Sequence, residues 1–249
     1  MSHFRAIFVA LVLAVGVPGA SFAAIIVDSA RPITHRVTVQ IIETALSNGT
    51  SPATIFGNAS QRASIESGID RVWAQAGIDV AFLPTITRYN NTFAYQGNTA
   101  SRPTNDLGAI LSGAASAGVL NSSPGVIDMF FVNVVPGFSF TGENSANGIG
   151  NLGRSGIAQF VGDNLLTFQG GHDVVSKVVA HEIGHNLGLQ HTADGIGNLM
   201  SPGGTTAQLT QAQVDAIFQL TRRNDSIAFI PSGGTGLPLP LPAQLAGDY

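Results

Sequence analysis

The chain has 249 residues, of which 44% are hydrophobic and 10% are charged, and its formal net charge is −4. This length and composition are sufficient for one substantial globular domain with an apolar core. The slightly acidic balance, with scattered Lys and Arg, offers no basic surface for nucleic acid. Cysteine is absent, which excludes a disulfide framework and any thiolate metal ligand.

The first residues have the features of a secretory signal peptide. Arg5 precedes a short apolar run over 6–17, and the segment 21–23 has small residues at the positions that signal peptidase reads. We therefore expect residues 1–23 to be removed and the protein to be secreted, to the extracellular space or the periplasm. The alternative is a membrane anchor, but this needs an apolar span nearer 20 residues, and Pro18 interrupts the run too early. No stable membrane association is expected after cleavage.

Hydrophobic patterns in the rest of the chain predict alternating strands and helices. Alternating or continuous apolar runs predict strands at 37–42, 78–83, 126–135 and 157–161. Apolar residues on one helix face predict helices at 60–76 and 211–222, and a segment rich in small residues predicts another at 107–119. The nearly continuous apolar run at 126–135 is typical of a central strand buried on both faces. Trp73 is predicted to anchor the core beneath the sheet.

Two long polar segments, 85–106 and 137–154, match no pattern with a known role. The second contains four oxygen-bearing side chains that could hold calcium, namely Glu143, Asn144, Asn147 and Asn151. A solvated glycine-rich loop is the simpler interpretation, because only one of these groups is a carboxylate and calcium sites usually carry more charge.

A short stretch between the last two predicted elements contains the residues suited to catalysis. His181 and His185 are four residues apart, a spacing that stacks two imidazoles on one helix face, where both can reach one metal ion. Glu182 lies between them, where a carboxylate can take a proton from an activated water and pass it to a leaving amine. The spacing predicts a metal-binding helix with a general base beside the metal.

The end of this helix is predicted to bring a third histidine to the metal. Gly188 can adopt the left-handed conformation that ends a helix, after which the chain can turn and place His191 near the same ion. Three histidines and one open position describe a catalytic zinc site, because structural zinc sites close with four protein ligands. Asp173 is a plausible N-cap of the helix. His172 and His35 lack ligand spacing and are predicted not to bind the metal.

The whole pattern, HExxHxxGxxH followed by Met200, resembles that of the metzincin zinc endopeptidases. The resemblance implies that the zinc ligands are His181, His185 and His191 and that Glu182 is the general base. It also implies that Met200 is the methionine of the Met-turn beneath the metal. The expected cofactor is therefore one catalytic Zn²⁺, and Ca²⁺ has no specific motif.

Two details resemble the matrixin branch of the metzincins most. Thr192, directly after the third histidine, is similar to the serine of that branch, and the segment 198–202 is similar to its Met-turn. Pro202 stands where astacin-like and serralysin-like enzymes carry a tyrosine, so a tyrosine ligand is not expected. A secreted enzyme without cysteine is more typical of bacteria than of animals.

The resemblance also implies a fold and a domain organisation. We expect an α/β (α+β) catalytic domain over 24–230, with a mixed twisted sheet, the active-site helix and a small subdomain after the Met-turn. The Gly- and Pro-rich residues 231–249 would follow as an extended tail.

Two further sites are expected around the metal. In metzincins the strand before the zinc helix is the edge strand on which an extended peptide substrate pairs, and here it comprises Ile157, Ala158, Gln159 and Phe160. Asp194, three residues past His191, could accept a hydrogen bond from a ligand imidazole, or it could serve only the turn beside Gly195.

The resulting hypothesis is a secreted, monomeric zinc endopeptidase that hydrolyses peptide bonds in peptides or proteins. One alternative is a secreted binding or surface module with a structural zinc, although such a site has no need of Glu182. Another is a zinc hydrolase that acts on a non-protein amide. Cleavage of denatured protein would separate the first hypothesis from the last.

Overall fold

A computed structural model of the protein describes residues 26–27, 29–97, 106–123, 125–133, 148–167, 170–192, 197–202 and 206–221. The predicted signal peptide, the predicted tail and Asp194 lie outside the described residues, as do Glu143, Asn144 and Asn147. No helix within the described ranges is long and apolar enough to cross a membrane.

The elements alternate along the chain. The strands are β1 (Ile26–Val27), β2 (His35–Ala45), β3 (Ile78–Phe82), β4 (Thr87–Asn90), β5 (Val126–Phe131), β6 (Gly148–Gly150), β7 (Ile157–Gln159) and β8 (Leu209–Thr210). The helices are α1 (Ala59–Ala74), α2 (Thr92–Gln96), α3 (Asp106–Ser116), α4 (Asp163–Thr167), α5 (Gly171–Asn186) and α6 (Gln211–Thr221). The predicted long elements are all present, with shifted boundaries.

The described strands form a six-stranded mixed sheet and a separate two-stranded one. The larger sheet has the order β3-β2-β5-β7-β6, and β4 pairs with the far end of β2. All its pairings are parallel except that of β6 with β7. The smaller sheet joins β1 to β8 in antiparallel fashion. The predicted mixed α/β fold is confirmed.

Helices cover both faces of the larger sheet. Met129 and Phe131 of β5 belong to the core cluster that contains Trp73 and the apolar residues of α5. Phe130 belongs to the cluster on the opposite face, which includes Ile110 of α3. β5 is therefore buried on both faces as predicted, and Trp73 is a fully buried core residue.

The predicted central strand ends earlier than expected. β5 stops at Phe131, and Asn133 donates its backbone N–H to the carbonyl of Tyr95 (2.7 Å) instead of continuing the ladder. The apolar run alone does not indicate that the strand ends at this point.

The prediction that residues 157–160 form the sheet edge is wrong. β7 lies inside the sheet, with β5 on one side and β6 on the other, and Ile157, Ala158 and Gln159 are buried. Phe160 lies beyond the end of the strand. Among the described strands the edge is β6 (Gly148–Gly150), which contains two glycines in three residues and therefore shows no strand pattern in the sequence.

Asp70 of α1 is a half-buried carboxyl group whose pKa depends on its contact with β3. Its side chain accepts a hydrogen bond from the backbone N–H of Val80 (2.9 Å). Burial raises the pKa of Asp70 to about 6, against the opposing effect of that hydrogen bond, and the carboxylates of Asp79 and Glu66 raise it further. The folded protein therefore holds this proton more tightly than the unfolded chain does.

Replacing Asp70 by asparagine is expected to stabilise the protein at high pH. The contribution of Asp70 to stability is greatest below its unfolded pKa near 4 and falls as the pH rises through about 6. Asp70→Asn keeps an acceptor for the Val80 N–H and removes the charge. We expect the free energy of unfolding at pH 8 to rise by about 1 kcal/mol, a figure discounted for partial exposure, with little change at pH 4.

Urea unfolding at both pH values would measure this effect. Asp215→Asn, on an exposed position of α6, is the matched control. Equal destabilisation by Asp70→Asn at pH 4 and pH 8 would contradict the expected sign.

Candidate metal centre and active site

Helix α5 supports the site and begins earlier than predicted. Its N-cap is Gly170 rather than Asp173, because the Gly170 carbonyl already accepts the backbone N–H groups of Asp173 and Val174 (3.1 and 3.2 Å). Asp173 lies in the first helical turn and pairs with Lys177 (2.6 Å). A carboxylate there still suits the positive end of the helix dipole.

The other end of α5 is formed as the sequence predicts. Gly188 has φ +88° and donates its N–H to the carbonyl of His185 (2.8 Å), while Leu189 donates to the carbonyl of Gly184 (2.9 Å). This pair of hydrogen bonds is a Schellman motif, which ends the helix and reverses the chain.

The three histidines of the motif meet at one point. The Nε2 atom of His191 lies 3.2 Å from the Nε2 atoms of both His181 and His185. The nitrogens that could bind a metal all lie within 4.8 Å of one another. The structure therefore brings together the residues that the sequence predicts as ligands.

Backbone carbonyls fix the orientation of two of these rings. The Nδ1 atom of His181 lies 2.6 Å from the carbonyl oxygen of Leu199, and that of His185 lies 2.7 Å from the carbonyl oxygen of Leu189. A carbonyl oxygen can only accept, so each Nδ1 carries the hydrogen and each Nε2 presents a lone pair to the common point.

Burial keeps the same two imidazoles uncharged. It lowers the pKa of His181 to about 4; the hydrogen bond to Leu199 opposes this shift, and the neighbouring histidines add to it. Burial also lowers the pKa of His185. Neutral imidazole is the form that binds metals, so both side chains are ready to do so at neutral pH.

The donor set fits a zinc ion. A hydrogen on His191 Nε2 could form a hydrogen bond to the Nε2 atom of only one of the other two histidines. One cation at the common point would instead bind the Nε2 lone pairs of all three histidines. Tetrahedral ligands at the usual Zn–N distance lie about 3.3 Å apart, which agrees with the 3.2 Å separations. Three imidazoles leave the fourth position for water or substrate, as catalytic zinc requires.

Glu182 follows His181 directly on α5 and carries a buried carboxyl group. It is only 6% exposed, and its Oε2 atom has no hydrogen-bond partner. Burial raises the pKa of Glu182 to about 8, while a hydrogen bond from the backbone N–H of Gly150 acts in the opposite direction. A buried acid with an unpaired oxygen is costly for the fold and is typical of a functional site.

Met200 lies fully buried beneath α5. Its Sδ atom is 2.5 Å from the point where a Cβ on Gly184 would stand, so the methionine packs directly against the helix backbone. The backbone N–H of Thr192 donates to its carbonyl (3.0 Å), and its own N–H donates to Asn198 Oδ1 (2.9 Å). The predicted turn is therefore tied to the residue after the third histidine.

Asn198 is held in turn by α6. Its side-chain amide and that of Gln213 exchange two hydrogen bonds (2.8 and 2.9 Å). The last helix thus supports the turn whose Leu199 carbonyl orients His181.

The other predicted residues lie away from the metal group or remain untested. His172 Nε2 lies 3.0 Å from the carbonyl of Leu166, at the opposite end of α5, and the His35 ring packs on Phe218 with centroids 4.7 Å apart. Asn151, the one calcium candidate among the described residues, donates its side-chain amide to the carbonyl of Ser155 (3.0 Å). Asp194 lies outside the described residues, so its role stays a prediction.

Asn186 is a supporting residue that the sequence reasoning missed. It follows His185 on α5, is fully buried, and directs its side-chain nitrogen to the carbonyls of Asn151, Arg154 and Gly156 (2.9, 2.8 and 3.1 Å). It fastens the loop between β6 and β7 to the metal-binding helix. The sequence signal that could have indicated this role is a polar residue close to two metal-ligand positions on the same helix.

Replacing Asn186 by alanine is expected to destabilise the protein by about 2–3 kcal/mol, because three carbonyls lose their shared donor. Chemical unfolding in the presence of a chelator would measure this loss apart from any change in metal binding. Asn90→Ala, at an exposed position, is the control. A loss no larger than that of the control would contradict the proposed fastening.

The fold and the three-histidine group define the chain as a zinc metallopeptidase of metzincin type. The profile of the metallo-peptidase family M12B, reprolysin-like, matches residues 27–192, which is well over half of the chain. The chain belongs to this family. A zinc-dependent hydrolase with peptide or protein substrates and one catalytic zinc, as the sequence predicts, is therefore confirmed.

Similar solved structures share little sequence with this chain. The archaemetzincin of Methanopyrus kandleri is 14% identical with a TM-score of 0.44, covering 76% of this chain and 97% of its own. The archaemetzincin of Archaeoglobus fulgidus, complexed with malonate, is 17% identical with a TM-score of 0.37, covering 73% and 91%. A structure described as a chaperone–substrate complex is 15% identical with a TM-score of 0.38, covering 68% and 28%. No curated protein matches the chain.

Proposed function

We propose that the protein is a secreted zinc endopeptidase in which His181, His185 and His191 hold the metal and Glu182 is the general base. One observation carries this proposal. Three Nε2 atoms converge at α5, and the same turn of this helix carries the buried carboxyl group of Glu182, whose Oε2 atom has no partner. A structural zinc site has no use for such a group, which speaks against a binding module without hydrolytic activity.

The residues of the chain divide the chemistry between them. Zinc, when bound, polarises the scissile carbonyl and lowers the pKa of a water molecule toward 7. The carbonyls of Leu199 and Leu189 keep two imidazoles in the tautomer that donates a lone pair from Nε2. Burial raises the pKa of Glu182, but a divalent cation beside it would favour the ionised carboxylate. Glu182 then accepts the proton of the attacking water and passes it to the leaving amine.

The corrected sheet order supports the proposal that the substrate binds at β6. Among the described strands, β6 is the terminal one of the larger sheet; it pairs with β7, and its residues are partly exposed. An extended peptide can add to such an edge through its main chain. Because pairing of this kind needs several residues of extended peptide, it favours cleavage within chains over removal of terminal residues.

Cleavage of an unstructured protein would test the proposed function. We expect the purified protein to hydrolyse casein at internal bonds, to lose this activity when a zinc chelator is added, and to regain it when zinc is restored. Cleavage that continues in the chelator would contradict a zinc mechanism. Hydrolysis of small acyl amides without any cleavage of casein would favour the non-protein substrate instead.

The secreted form, the monomeric state and the matrixin-like branch rest on the sequence alone. Thr192 and the segment 198–202 carry the likeness to the matrixin branch. If the protein is secreted, N-terminal sequencing of the protein recovered from the medium should show that it begins at Ala24. An uncleaved N-terminus retained in the cell would contradict it.

A further inference from the structure

The edge strand β6 has glycine at both positions that face α5. Gly148 is paired with Gln159 and Gly150 with Ile157, in the antiparallel ladder with β7. Paired residues share a face of a sheet, and Ile157 belongs to the core cluster on the α5 face. The two glycines therefore present bare backbone to the metal-binding helix.

This bare face lies directly against Glu182. A Cβ on Gly148 would stand 2.6 Å from Glu182 Cγ, 2.8 Å from Oε1 and 2.9 Å from Cδ. A Cβ on Gly150 would stand 2.6 Å from the Glu182 carbonyl oxygen and 3.2 Å from Oε2. Contacts below 3.0 Å are essentially absent from real side chains, so neither position can take one without a shift.

The same strand also holds the carboxylate by a hydrogen bond. The backbone N–H of Gly150 donates to the Glu182 side chain, while Oε2 is left without a partner. A free glutamate has several rotatable bonds and a large rotamer entropy. Here one face of the Glu182 side chain rests on β6, and the backbone N–H of Gly150 interacts with its carboxyl group.

We propose that Gly148 and Gly150 are positioning residues that hold the Glu182 carboxylate in place against the bare backbone of β6. This inference rests on the proposed role of Glu182 as the base. Because β6 is also the strand on which the substrate is proposed to pair, one strand would position both the peptide and the base. A displacement of about 1 Å in such a group can slow a reaction about 100-fold.

Gly148→Ala is the variant that tests this role. The atoms that the added methyl would meet belong to a side chain, so we expect Glu182 to move and β6 to stay. The expected result is a kcat lower by about 10- to 100-fold, a KM within about two-fold of the original, and one zinc per chain. Gly108→Ala in α3, where a Cβ would meet nothing within 4 Å, is the matched control.

A double-mutant cycle on stability gives a readout independent of activity. In metal-free protein, Gly148→Ala is expected to lower Tm by about 5 °C, since its methyl is overpacked against Glu182. In the Glu182→Ala background the Cγ, Cδ and Oε1 atoms are gone, so the same change should cost almost nothing.

The outcomes separate this role from the proposed function. If Glu182→Ala is inactive, either of two results would overturn the positioning role alone. One is that Gly148→Ala lowers Tm equally in both backgrounds, and the other is that Gly148→Ala leaves kcat unchanged. A fully active Glu182→Ala would overturn the base assignment and, with it, the positioning role.

Discussion

Replacing Glu182 by alanine is expected to lower kcat about 1,000-fold or more while the protein keeps one zinc per chain. The loss follows because the variant has no carboxylate at this position of α5 to accept the proton. Stability should not fall, because the change removes a buried carboxyl group whose Oε2 has no partner. Steady-state hydrolysis of a quenched fluorescent peptide would measure kcat, metal analysis would measure the zinc content, and thermal unfolding would measure the stability.

Glu66→Ala is the control for this variant, because Glu66 lies on α1 and pairs with Arg62 (2.6 Å), away from the metal group. Its kcat should match that of the original protein. If Glu182→Ala loses its zinc and its fold together, the residue is structural and the assignment as general base fails.

Replacing His185 by alanine is expected to abolish zinc binding and activity together. The variant keeps only two of the three converging nitrogens and removes the hydrogen-bond donor to the Leu189 carbonyl, so it also loosens the helix end. We expect the zinc-to-protein ratio to fall from one to near zero and hydrolysis to become undetectable.

His172→Ala provides the comparison for this loss. His172 lies on the same helix, but its Nε2 contacts the Leu166 carbonyl at the other end. The variant should retain its zinc and its activity. Equal zinc loss from both variants would mean that the metal is bound elsewhere or that α5 as a whole has been disrupted.

The metal-binding helix could be predicted from sequence because its signals are local. The four-residue spacing of His181 and His185 determines their common face, and Gly188 supplies the backbone conformation that ends the helix. Trp73 and the buried strand β5 were predicted for the same reason, since apolar patterning reports directly on burial.

The parts that sequence reasoning missed depend on backbone groups or on distant pairing. The carbonyls of Leu199 and Leu189 fix two histidine tautomers, but a carbonyl oxygen is common to every residue and has no sequence signature. Asn186 acts through three carbonyls from a loop 30 to 35 residues earlier in the chain.

The edge strand was misassigned for a related reason. β6 has only three residues, two of them glycine, and it exists because β7 and α5 hold it from two sides. Glycine has a low strand propensity, so the pattern pointed to the equally short but apolar neighbour, β7. The glycines that obscured β6 in the sequence are the residues that let it lie against Glu182.

The zinc content of the purified protein tests the central claim most directly. Mass spectrometry under native conditions should find one zinc per chain. A chelator should remove the zinc and abolish casein cleavage, and adding zinc back should restore both. A protein that cleaves casein with no zinc bound, or that binds no zinc when the metal is supplied, would contradict the account.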